Sequence, residues 1–536
     1  METANKRAKS TQGDKKKAEI RVTHSVHDRL QVESNFTFDF RLREEEETLR
    51  DFRIDLYFFM PNAMGVNSSS FNTKEFFRHR TSYYRVRAPK YHNLRVIAPE
   101  ELKFDSAEKY FQGDLSAIER SNLAKKVVQD VRLFGNFLHT ELKKTRTSMS
   151  GRRKSLSKAR RRHLTDKLRH RTALVWQLRK RYMDPIRQER YLIDDDVLRA
   201  FSLTDEYLSY RLELVLLQAK TSLSDHDDEW SALLAKEIAY REENDLLVLG
   251  NKEEDSVALE NYTYRLGLLK KYLGEALFLE LKFINKELLY KNYAAAVGAG
   301  LAATVAGLAE HQRVQYLTGN DSGLRLAFLI GVAVVAYIFK DRVKDLSKEY
   351  FNSRLKERLP DQHMELSHQS YTAKGRKKVR RVGSASEYFR FLKELPADVA
   401  YLRTLGQVKA SDPERHENVM HMARRFSFEL RSKNHRKLFP LLKNVHRIDI
   451  SPFLSKLDNP VTPIRFVGED GLAKSVKAPK VYHINVVLRY EVRFDATLNR
   501  RYVDYERFRI VVNKNGIVRL EQLIEPGRLA YEDSTS

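Results

Sequence analysis

The densest chemistry in the chain lies at 143–171, "KKTRTSMSGRRKSLSKARRRHLTDKLRHR", where thirteen Lys or Arg stand against one acid, Asp166. Cations at this density neutralise phosphates, on nucleic acid or on lipid headgroups. Leu164, Leu168, Val175, Leu178 and Tyr182 are spaced 4, 7, 3 and 4 apart, which predicts a helix with an apolar seam for the later half. Arg152, Arg153, Lys154, Arg160, Arg161 and Arg162 are the expected contacts to an anionic ligand. Ser148, Ser150, Ser155 and Ser157 lie among them, where phosphorylation would weaken such contacts. A solvated basic face with no dedicated ligand is the plain alternative.

Other constellations are weaker. In "FFRHRTSYYRVRAPKYH", 76–92, basic residues alternate with aromatics and no acid is present. Base stacking uses such a mixture, but so does a sheet edge whose aromatics face a core, and the core reading is preferred. "HENVMH" sets His416 and His421 five apart, one more than the zinc-protease pattern allows, so the second imidazole turns about 140° away on a helix. "VGAGLAA" fits a dinucleotide-binding pattern through Gly298, Gly300 and Ala303, yet a charged helical stretch precedes it instead of a strand. "DHDDEW", 225–230, reads as a helix start, and the four glutamates of "REEEET" as a solvated connection. No phosphate loop ending in Gly-Lys-Ser/Thr and no serine nucleophile elbow occurs. The absence of Cys excludes disulfides, thiolate catalysis and Cys-bound metals. No catalytic residue, metal or cofactor is expected.

The elements that must carry the basic segment follow from patterning. The formal charge of +25 suits a polyanionic partner, and 42% hydrophobic residues suffice for real cores. Residues 1–19 are polar and basic, unlike a secretory signal, and read as a disordered tail. Over 20–97, "NFTFDFRLR" and "DFRIDLYF" alternate as half-buried strands of an antiparallel β unit. The pattern is helical over 98–291, most clearly from Leu259 to Leu288, whose stripe shifts phase at Ala276 and Leu277. Residues 340–360 continue helically to Pro360. Residues 361–536 mix helices and strands in a C-terminal α+β domain, with "VYHINVVLRYEV" its strongest strand and Asn515-Gly516 at a hairpin turn.

Between them lies 292–339. Residues 293–309 carry no charge, and 324–339 carry only Arg325. A bilayer span needs about 17 apolar residues at least, so a pair of transmembrane helices is predicted. Ala294, Gly298, Ala302 and Ala306 fall every fourth residue, and Ala327 and Gly331 repeat that spacing, as closely packed helices in lipid require. Lys282, Lys286, Lys291, Lys340, Arg342, Lys344, Lys348 and Arg354 flank the pair, which predicts both termini on the cytoplasmic side. The expected fold is therefore α+β with a membrane helical hairpin: an N-terminal antiparallel β unit, a long helical region, two transmembrane helices and a C-terminal α+β domain.

"YFFMPNAMGVN", "FFRHRTSYYRVRAPK", "YIFKDRVKDLSKEYF", "VYHINVVLRYEV" and "RFRIVVNKNGIVRLE", in this order, resemble an uncharacterised group of bacterial two-pass inner-membrane proteins. The resemblance covers about a sixth of the chain and contains no mechanistic motif. It implies a bacterial inner membrane and transfers no functional residue.

The functional expectation is a non-enzymatic, membrane-anchored binding or scaffold protein with cytoplasmic domains. Its partners would be the lipid bilayer, anionic headgroups at the basic segment, and further copies of itself through coiled coils of the long helices. A membrane-tethered nucleic-acid binder is the alternative, and an enzyme without a readable motif the second.

Overall fold

The computed structural model describes residues 20–40, 49–87, 98–112, 115–150, 157–188, 193–223, 227–249, 255–317, 359–405, 417–429, 441–494, 501–524 and 531–533, with scattered residues of 327–349. In chain order the strands are β1 (Ile20–Val26), β2 (Gln31–Asp39), β3 (Leu49–Pro61), β4 (Arg80–Val86), β5 (Glu280–Phe283), β6 (Gln362–Tyr371), β7 (Lys377–Leu392), β8 (Glu417–Glu429), β9 (Leu441–Asp449), β10 (Val461–Val467), β11 (Ala473–Pro479), β12 (Tyr482–Phe494), β13 (Arg501–Asn513), β14 (Gly516–Ile524) and β15 (Tyr531–Asp533). They form a four-stranded sheet, β1-β2-β9-β4, an antiparallel pair, β10-β11, and a larger sheet, β14-β13-β12-β3-β8-β7-β6-β5, whose β13 also pairs with β15. The strands named in the pairing are antiparallel to their neighbours. Strands from both ends of the chain share each sheet: β3 lies between β8 and β12, and β9 between β2 and β4.

Period-two alternation explains the core. Phe36 and Phe38 of the small sheet and Phe52, Ile54, Phe426, Phe428, Ile484, Val486 and Leu488 of the large one project into one buried layer. Phe38 lies 5.0 Å from Phe52 and 5.1 Å from Phe426, ring centre to ring centre, within the range of favourable aromatic pairs. The hairpin joining β13 to β14 turns on Lys514-Asn515, with Gly516 at the start of β14. Gly516 has φ +128° and its Cα faces the Arg29 carbonyl so closely that no side chain fits, while Ile517 N donates to the same oxygen at 2.7 Å. One turn of the small sheet is thereby fastened to the large sheet.

The helices are α1 (Thr73–Arg78), α2 (Asp105–Gln112), α3 (Ala117–Ser150), α4 (Lys158–Leu178), α5 (Asp184–Gln188), α6 (Asp195–Ser222), α7 (Asp227–Glu243), α8 (Ser256–Glu275), α9 (Lys286–Leu317), α10 (Ala397–Thr404) and α11 (Ser451–Leu454). A second core gathers Val127, Phe134, Leu138, Leu168, Val175, Phe201, Leu208, Leu212 and Trp230 from α3, α4, α6 and α7. A π turn, Arg179–Met183, joins α4 to α5. The helical stripe expected to run from Leu259 through Leu288 is interrupted. After α8, Leu281 and its neighbours leave the helix and β5 pairs with β6. The phase shift at Ala276 and Leu277 was the mark of that break, since a helix cannot jump its stripe without turning its apolar face to water.

The membrane hairpin is not supported. No helix among the described residues is long and apolar enough to cross a membrane. This overturns the membrane part of the expected fold, the two-pass reading, and the placement in an inner membrane with both termini cytoplasmic. The physical reason is that an uncharged run is not thereby an apolar one: Ala and Gly contribute little apolar surface per residue. Residues 293–309 lie on α9, with Tyr293, Val297 and Leu308 exposed. Only part of 324–339 lies within the described residues.

Candidate anion-binding cleft

The C-terminal half of α3 and the middle of α4 line a cleft of about 820 Å³. Its walls come from the basic segment identified in the sequence. Lys143 and Lys144 approach from α3, and His163, Lys167, His170 and Arg171 from α4. Phe137, Leu138, Leu164 and Leu174 form the apolar part of the lining, and Thr140, Thr145, Thr147 and Ser148 add hydroxyls. The lining acids are Glu141 and Asp166, so Lys and Arg outnumber acids four to two before either histidine is protonated. Each helix supplies its share by helical spacing: Lys167, His170, Arg171 and Leu174 fall at i, i+3, i+4 and i+7 and so share a face.

Glu141 organises the lining. It is buried, accepts from Lys144 Nζ, and accepts from Arg171 Nη2 at 2.8 Å. Arg171 Nη1 donates to Thr145 Oγ1 at 2.5 Å, so one guanidinium ties α4 to two successive turns of α3. Burial pushes the Glu141 carboxyl up, but the hydrogen bonds and charges of Lys144 and Arg171 outweigh it and hold the group down at about 2. His139, two residues earlier on α3, is the opposite case: burial, reinforced by the charges of Arg211 and Lys143, pushes it down to about 4.

Both shifts act in the same sense on stability. A carboxyl with a depressed folded value stabilises above its unfolded value near 4.5 and loses that contribution as pH falls towards 2. A histidine with a depressed folded value is also stabilising while neutral, and the unfolded chain takes up the proton first as pH falls through 6.5. The denaturant midpoint of the protein should therefore fall between pH 7 and 5, and His139→Gln should flatten that slope. An equal slope in the variant would contradict this account.

The residues expected to contact an anion are distributed differently from the cleft lining. Arg160, Arg161 and Arg162 lie in the first turns of α4; Arg160 and Arg162 are exposed and Arg161 is half-buried. Ser157 caps this helix, accepting from Arg160 N, and no acid occupies the first turn. The positive end of the helix dipole is thus surrounded by further positive charge, one turn before the first cleft residue of α4, His163. Arg152, Arg153 and Lys154 lie outside the described residues, as does Ser155. Ala294, Gly298, Ala302 and Ala306 fall on α9, with side chains outside the described residues. Ala327 and Gly331 are helical and exposed, and the space beside Gly331 is open. No family model, curated protein or solved structure matches the chain.

Two other polar sites resolve into structural roles. Of 76–92, Phe76, Tyr84 and Val86 are core residues, and Tyr83 packs edge-on against Phe278. On the face of the large sheet that α10 covers, fully buried Asp55 contacts His421 Nε2 at 3.0 Å, Arg53 Nε at 2.8 Å and Arg489 Nη1 at 3.3 Å. Burial raises its carboxyl, but the His421 hydrogen bond and Arg53 charge bring it below the usual range. Asp55, Asp398 and Glu491 balance Arg53, Arg489 and Arg493 in this network, which leaves it little net charge for a ligand. His416 lies outside the described residues, and His421 is on a strand.

Sequence reasoning found the segment but missed Glu141, Thr145, His163 and His170. The signal was present. Glu141 stands three and four residues before Lys144 and Thr145, and His170 adjoins Arg171 on the face that also holds Lys167 and Leu174.

Proposed function

We propose that the protein is a non-enzymatic nucleic-acid-binding protein that holds the phosphate backbone of a duplex through the cleft between α3 and α4. The observation that carries this reading is the convergence of Lys143, Lys144, Lys167 and Arg171, with two histidines and four hydroxyls, on one concavity. Cations and hydroxyls are the groups that contact phosphate oxygens. The net charge of +25 supports a polyanion over a singly charged ligand. Duplex is favoured over single strand because unstacked bases need large aromatic platforms, and the lining has no Trp or Tyr and its one Phe, Phe137, is buried. The headgroup expectation drew its weight from the neighbouring hairpin, and loses it with the spanning helices.

Binding of a fluorescent duplex DNA of about 30 base pairs, titrated at rising salt, tests the reading. Log K should fall linearly with log salt. Lys143→Gln with Lys167→Gln should weaken binding at low salt and reduce the slope by about two contacts, near 0.9 each. Retention that is independent of salt, or unchanged in the double variant, would refute it.

A further inference from the structure

Glu141 sits where a ligand's anion would be expected. Its carboxylate is buried in the lining of a cleft whose other charged groups, Asp166 apart, are basic, and it binds Lys144 and Arg171 at once. Arg171 in turn holds the Thr145 hydroxyl. Two cations set against a pair of carboxylate oxygens, one on each, is a geometry that also receives a phosphate, since ammonium and guanidinium groups bind carboxylate and phosphate alike. We infer that Glu141 is a specificity-determining residue whose carboxylate stands in for one phosphate of the ligand, occupying Lys144 and Arg171 in the free protein and ceding them on binding. The inference rests on the proposed role of the cleft and names the term that sets its selectivity. A ligand must present several phosphates, because a lone anion meets cations that already have a counter-charge. A polyanion gains from Lys143, Lys167 and the cations at the start of α4 while it displaces the glutamate.

A merely structural glutamate predicts the opposite result from an occluding one. If Glu141 only clamps α3 to α4, removing its charge loosens the cleft and weakens binding. If it competes with phosphate, removing its charge frees two cations and strengthens binding, although the fold loses an ion pair. The full-length chain carrying Glu141→Gln is compared with the unaltered chain by thermal unfolding and by titration with the same 30-base-pair duplex. The expected result is a lower melting temperature together with binding about tenfold tighter and a salt slope steeper by about one contact. Equal or weaker binding by the variant, while the unaltered chain binds, overturns the inference and leaves the proposed function standing. If neither protein is retained on duplex at low salt, the function itself fails and the inference with it. Should the amide variant not fold, Glu141→Asp keeps the charge but shortens its reach, and tightening is again required.

Discussion

Glu387→Ala should destabilise the protein by about 3–5 kcal/mol, read as a drop in denaturant midpoint at unchanged slope. Glu387 on β7 lies opposite Arg424 on β8, and both face the layer between the sheets with no solvent exposure. Its Oε1 accepts from Arg424 Nε at 3.0 Å and lies 2.8 Å from Nη2, while its Oε2 is 2.7 Å from Arg80 Nη2. The Arg424 guanidinium is completed by Asn444 Oδ1 at 2.7 Å and by Ser82 and Tyr84 of β4. One carboxylate therefore compensates two guanidiniums away from water. Without it two like charges remain buried together, and an uncompensated buried charge costs far more than the pair itself contributes. His446 offers no relief: burial and the charges of Arg424 and Arg80 hold it neutral. Glu387→Gln should be nearly as damaging, because an amide supplies the shape without the charge. A loss below about 1 kcal/mol in both variants would mean that water reaches this layer.

Arg179→Ala should produce a loss of similar size in the helical part, about 3–5 kcal/mol. Arg179 opens the π turn after α4 and reaches Asp205 on α6 and Glu237 on α7. Nε donates to Asp205 Oδ1 at 2.7 Å, and Nη2 donates to Glu237 Oε1 at 2.6 Å. Tyr240 donates to Asp205 Oδ2 and lies face-on below the guanidinium, 3.6 Å from its carbon. Removal strands two buried carboxylates without their counter-charge, which costs far more than the ion pairs themselves contribute. A loss below about 1 kcal/mol in the denaturant midpoint measurement would count against this account.

The sheets were legible in the sequence where one face is apolar without exception. β2, β3 and β12 alternate cleanly, and the residues assigned inward, Phe36, Phe38, Ile54 and Leu488, are buried. Pairing was not legible. Nothing in a local pattern says that β3 lies between strands that follow it by more than 350 residues, because register partners are chosen by the packed layer as a whole. β8 was hidden for another reason: Arg424 faces inward in "ARRFSFEL", a charge that breaks alternation until its partners are known. β5 was concealed inside a helical stripe, where four residues of alternation are too few to stand out. The membrane error came from counting charges and small residues instead of apolar surface. At the cleft, cation density was legible, but the partition of those cations was not. Lys144 and Arg171 are held by Glu141, whereas Arg160 and Arg162 project from the helix start.

The arrangement of β3 has a consequence for the order in which the chain takes shape. As the polypeptide leaves the ribosome, β3 appears early, yet both its neighbours are made in the last quarter of synthesis. Until then it exposes two open edges and an aromatic face, whereas the intervening helices already have local partners and can condense first. The nascent protein thus holds an adhesive strand beside a finished helical body for most of its translation, a period in which protection by chaperones would matter most.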